Sequence, residues 1–97
     1  MSLDILHVVQ ILSAGGAGRA LLAMARRDAA STGNRHRVVS MLAPDPRAVA
    51  LCAEHGISVT GPCVDPRSFM KEADIVLLHW WNCPEMARLL RSELPPC

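Results

Sequence analysis

Apolar and polar positions along this chain switch between two periods. "DILHVVQI" (4–11) is a short β-branched apolar run and reads as a strand. Three glycines follow within four residues, Gly15, Gly16 and Gly18. "GRALLAMARRDAAST" then carries apolar residues at helical spacing, Leu21, Leu22, Met24, Ala25 and Ala29, which predicts a helix over 18–32 with one buried stripe. Arg26, Arg27 and Asp28 fall on its other side. Gly33 or Asn34 suits a left-handed cap.

The alternation continues. A second strand is expected over 37–42, then a break at "APDP", where Asp45 can cap a helix and Pro46 can open it. That helix runs to Gly56, its stop. A third strand is expected over 57–60, a short helix over 66–73 and a fourth strand over 75–79. "CPEMARLLRSEL" is a last helix, with Pro84 and Glu85 near its start and Pro95 and Pro96 at its end. Strand and helix in alternation imply right-handed crossovers and a parallel sheet. The expected fold is a Rossmann-like three-layer α/β/α arrangement, its four-stranded parallel sheet ordered 3-2-1-4. No further strand follows the last helix, so residues 1–97 are expected to be a partial domain at the front of a longer protein. A complete small domain with an unusual ending is the other reading.

Composition narrows the function classes. Of 97 residues, 51% are hydrophobic and only 3% aromatic, so the core must be aliphatic. A net charge of +1 gives no basic face for nucleic acid. The apolar runs are too short to span a bilayer, and the N-terminus lacks the marks of a secretion signal. A reduced, cytoplasmic chain is expected. Cys52, Cys63, Cys83 and Cys97 form no C-x-x-C pair, and His7, His36, His55 and His79 lack ligand spacing, so neither a metal nor a cofactor is expected.

Two places carry candidate chemistry. In a doubly wound sheet, ligands sit beyond the carboxyl ends of the strands where the order reverses, here between the first and fourth strands. The loop 13–18 lies there. Its glycines let backbone approach a ligand, and the helix behind them offers free N–H groups and partial positive charge, a site for a phosphate. Arg19 in the first turn opposes the helix dipole but suits a bound anion. The loop departs from the dinucleotide fingerprint, Met41 and Leu42 stand where an acid would hold a ribose, and no Gly-Lys-Ser/Thr is present. A tight turn with no ligand accounts for the same glycines. The second place is "HWWNCPE": His79 ends the fourth strand at the same crevice and can accept a proton, and Trp80 and Trp81 can stack on a sugar ring. The structural alternatives are that Trp81 packs on the first helix and His79 caps the strand. "NRHR" (34–37) reads as a solvated turn, and His7 as a core or near-core residue.

The order of "AGGAGRALLAMA" and then "ADIVLLHWW" resembles the N-terminal domain of GT-B glycosyltransferases, in particular the retaining family 4. The likeness covers about 4–96, with Gly18 standing where many members have an acid. It implies the acceptor-side half of a two-domain enzyme that moves a sugar from a nucleotide-sugar to an acceptor hydroxyl, inactive as this piece alone. It further implies that Gly15, Gly16, Gly18 and Arg19 approach the donor's phosphate or sugar, that His79 is catalytic, and that Trp80 and Trp81 line the acceptor side. The expected partners are the donor, the acceptor and the missing C-terminal domain, with a homodimer through the truncated edge and peripheral membrane association of the parent as further partner expectations, and no nucleic acid. The alternative is a stand-alone phosphate- or nucleotide-binding regulatory module. A receiver-like signalling domain ranks last, because the acidic cluster it needs is missing.

Overall fold

The computed structural model describes residues 2–63 and 65–79. The elements run β1 (Asp4–Val9), α1 (Gly16–Thr32), β2 (Arg35–Ser40), α2 (Pro46–Glu54), β3 (Ser58–Thr60), α3 (Arg67–Met70) and β4 (Ile75–Leu78). The strands are parallel throughout and ordered β3-β2-β1-β4, the order expected from the alternating pattern. This is a small Rossmann-like α/β domain. The expected last helix, Trp80 and Trp81 lie outside the described residues.

Each face of the sheet has its own core. Leu21, Leu22 and Ala25 of α1 and Ala48 and Cys52 of α2 pack with Val9 and Val38 on one face. Leu6, Val8, Val39 and Met41 meet Met70 and Ala73, from α3 and the turn after it, on the other. The period of two along each strand makes this division: alternate residues of β1 and β2 turn to opposite sides.

Local chemistry sets the boundaries. Gly33 ends α1 at φ 77° with its N–H on the Ala29 carbonyl at 2.9 Å, and Gly56 closes the turn after α2 at φ 72°. The Asp45 side chain accepts from the Arg47 N–H, and Pro46 takes the first turn of α2. Two of the boundaries that differ from the sequence pattern have a clear cause. β2 begins at Arg35, because the Arg35 N–H bonds the Leu3 carbonyl and the Arg35 and Arg37 guanidinium groups both reach Asp4, at 3.1 and 3.0 Å. Burial pushes the Asp4 carboxyl up, but these two arginines outweigh it and hold the group below the usual carboxylate range. β1 stops at Val9, where the chain turns toward α1: Leu12 donates its N–H to Ser40 Oγ and accepts from the Asp45 N–H. Among the described residues no helix is long and apolar enough to cross a membrane.

Candidate functional site

The chain leaves β1 and enters α1 through Ser13 to Gly18. α1 starts at Gly16, two residues earlier than its apolar stripe suggests, with Gly15 as N-cap. Its opening amides are therefore bare, since Gly15 has no side chain to cap them. The three glycines have different reasons to be there. None of them has positive φ. A Cβ on Gly18 would clash with the Ser13 carbonyl oxygen, so Gly18 is needed for the helix to pack on its own lead-in loop. A Cβ on Gly16 would meet nothing within 4 Å, and one on Gly15 would stand 3.7 Å from Ser13 Oγ. Both residues are exposed. Neither backbone conformation nor crowding inside the protein demands glycine at these two positions.

Gly18 and Ser13 line a cleft of about 270 Å³ with Val9, Leu12, Leu21 and His79. The turn and the end of β4 thus meet at one opening beyond the carboxyl ends of the strands, as the switch-point rule requires. His79 follows β4 directly, its N–H on the Val8 carbonyl at 2.9 Å. Arg19 is exposed on the first turn of α1.

Behind His79 lies an arrangement the sequence reading missed. His79 Nε2 stands 2.9 Å from His7 Nδ1, His7 Nε2 stands 2.8 Å from His36 Nδ1, and His36 Nε2 stands 2.7 Å from Asp28 Oδ2. The ring centroids are 5.2 and 5.1 Å apart, which equals each contact plus roughly one ring radius on either side. The rings therefore meet edge to edge, with the contacts in line. The sheet register explains the path. Ile5 pairs with His36 and His7 pairs with Leu77, so each step to the next strand climbs two residues. The line runs diagonally from the start of β2, across β1, to the mouth of the cleft.

Burial and charge are graded along this line. His7 has no exposed surface and His36 is 3% exposed. Burial, then His79 and His36, lower the His7 pKa to about 4, with Asp28 acting in the opposite sense. Burial also lowers that of His79. His7 and His79 are therefore neutral near pH 7. The Asp28 carboxyl is held below its usual range, first by the His36 hydrogen bond and then by that of Asn34, whose Nδ2 donates at 3.0 Å.

Two sequence expectations are corrected here. "NRHR" is not a solvated turn throughout, because His36 is buried between β1 and α1's last turns. Asp28 does not fall on the outer face of α1; it is half-buried against the sheet, while Met24, expected in the buried stripe, is 38% exposed. Both stand on the flank of α1 beside Ile75 and Leu77, where an open groove leaves the helix edge partly covered. Phase was the available signal: His36 is in step with Val38 and Ser40, and His7 with Ile5 and Val9.

No family model, no curated protein and no solved structure matches the chain. Its functional reading therefore rests on this geometry.

Proposed function

We propose that the chain is the acceptor-side domain of a retaining glycosyltransferase of the GT-B type. In this reading the bare start of α1 at Gly15, Gly16 and Arg19 faces the donor's diphosphate and sugar, and His79 faces the acceptor hydroxyl. Gly18 lets the turn pack closely enough to hold that shape. The single supporting observation is that Ser13 and Gly18 of the glycine turn meet His79 at one cleft, while Gly15 and Gly16, which are exposed beside it in the chain and do not line it, lack side chains for no internal reason. The chemistry is consistent with it. A leaving nucleoside diphosphate gains negative charge, which backbone N–H groups and a helix N-terminus stabilise. The sugar passes through a cationic, oxocarbenium-like state, and the acceptor oxygen must lose a proton, for which a neutral imidazole is suited.

The test is binding followed residue by residue. Nucleotide-sugars, free nucleoside diphosphates and simple sugars are titrated into the nitrogen-15-labelled chain, and backbone amide shifts are read. The reading expects a nucleotide-sugar to move the Gly15–Arg19 amides and His79 together, with a free sugar moving His79 alone. A nucleotide that binds at the turn and leaves His79 untouched, with no response to any sugar, would replace the transferase by a plain nucleotide-binding module. Silence at both places would remove the site.

A further inference from the structure

Asp28 carries only acceptors when ionised, and for a line of neutral rings that fixes every proton behind His79. The Asp28 carboxylate must receive a proton from His36 Nε2. His36 Nδ1 then has a lone pair and must receive from His7 Nε2. His7 Nδ1 in turn receives from His79 Nε2. Three neutral rings supply three N–H groups for three hydrogen bonds, all on Nε2. His79 is left with a lone pair on Nδ1, for which no partner appears among the described residues, on a residue that lines the cleft.

We infer that Asp28, His36 and His7 form a proton relay for His79, holding its Nδ1 as an acceptor and carrying the proton it takes up to the far edge of the sheet. The steps balance. A proton arrives at His79 Nδ1, and the His79 Nε2 proton passes to His7 Nδ1. The His7 Nε2 proton passes to His36 Nδ1. His36 then holds two N–H groups and the positive charge, 2.7 Å from the Asp28 carboxylate. Return of the proton is the same path in reverse. The low proton affinity of His7 suits a middle member that passes protons without keeping them. The charged surroundings are consistent. α1 contributes Asp28 and the exposed Arg27 beside it, β2 contributes His36, and β4 leads to His79. Arg35, Arg37 and Asp4 pair with one another at the start of β1 and β2, and the phase of both strands turns them to the opposite face.

The inference stands on hydrogen-bond geometry and not on the transferase reading, since it holds for any ligand that presents a proton to the cleft. His36 and His7 are positioning residues, so the experiment must read protons rather than fold. Long-range nitrogen–proton correlation spectra of the labelled full chain report which ring nitrogen carries hydrogen. Near neutral pH all three rings should show it on Nε2, with a lone-pair signature at His79 Nδ1. In Asp28→Asn the charge at the far end is gone, and first protonation of the three-ring line should need about tenfold more acid. His7→Gln supplies one acceptor and one donor, so it keeps the tautomer of His79 but cannot pass a proton. A proton taken up at His79 should then stop there, where in the native chain it reappears as the His36 Nδ1–H. A proton on His79 Nδ1 in the native chain at neutral pH would overturn the relay, and that spectrum needs no variant to fold. So would a His36 Nδ1–H that still follows proton uptake at His79 in His7→Gln.

Discussion

The two faces of the sheet come from the same strands, yet they are built differently. Under α3 the inward residues are Leu6, Val8, Val39 and Met41, with Met70 closing over them, all aliphatic or thioether. Under α1 the same two central strands turn His7, His36 and Ser40 inward among Val9 and Val38. The apolar core of the first face can tolerate any well-packed apolar set, because its charged residues Asp4, Arg35 and Arg37 pair with one another at the strand starts. The second cannot. A buried ring nitrogen without a hydrogen bond costs about 1–3 kcal/mol, so each histidine depends on the next and the row depends on Asp28. One face holds the domain together. The other commits part of its core to a polar row that leads to the cleft.

Paired substitutions break the comparison most strongly. Leu6→Ala, at a residue with no exposed surface, should cost about 3–4 kcal/mol, and the cost should be the same at neutral and at mildly acid pH. His7→Leu fills similar space but strands His36 Nδ1 and His79 Nε2, and should cost about 3 kcal/mol at neutral pH. Its cost should fall with pH. The native His7 has its pKa lowered from 6.5 to about 4, so the unfolded chain binds this proton first. The stability that His7 contributes is complete above about pH 6.5 and is lost as pH falls toward 4. The lowered His79 pKa acts in the same sense. By about pH 5 the gap between His7→Leu and the native chain should narrow by about 2 kcal/mol. Urea unfolding at the two pH values measures both, and a gap that does not narrow would mean that the imidazole is protonated in the native fold.

The next effect sharpens the contrast within the glycine turn. Gly18→Ala drives a Cβ against the Ser13 carbonyl oxygen, a backbone atom that cannot swing away. The start of α1 must shift, at a cost of about 2 kcal/mol. A thermal unfolding curve close to that of the native chain would show that the loop has slack the packing does not suggest.

Much of the fold was legible because its signals are local. Asp45, Pro46, Gly33 and Gly56 act on their own turns of backbone, and the strand order follows from connections of standard hand. The proximity of the turn and His79 followed from the same topology. What was not legible depends on edges and phase. Met24 and Asp28 lie four residues apart on one flank of α1, where the buried stripe gives way to solvent, and helical spacing alone does not tell which of them reaches the sheet. His36 falls outside the strand that the pattern predicts because two polar arginines bracket it, and only their pairing with Asp4 extends β2 back to include it. Once that extension is made, three histidines stand inward on or directly after the three adjacent strands β2, β1 and β4, and the row can be read.

The smallest effect asks what Gly15 and Gly16 are for. Gly16 has no positive φ and open space where its Cβ would stand. Gly16→Ala should therefore stabilise the first turn of α1, by about 0.5–1 kcal/mol, because alanine loses less backbone freedom on entering a helix. A glycine that can be improved upon in this way is not required by folding. If the bare amides at the start of α1 meet a phosphate, the added methyl group stands in the approach. The same variant should then unfold at higher temperature and bind the nucleotide-sugar more weakly. Higher stability with unchanged binding would leave Gly16 without a role at the cleft. Lower stability would show that the turn, like Gly18, is tied to its surroundings by contacts that the open space around Gly16 does not predict.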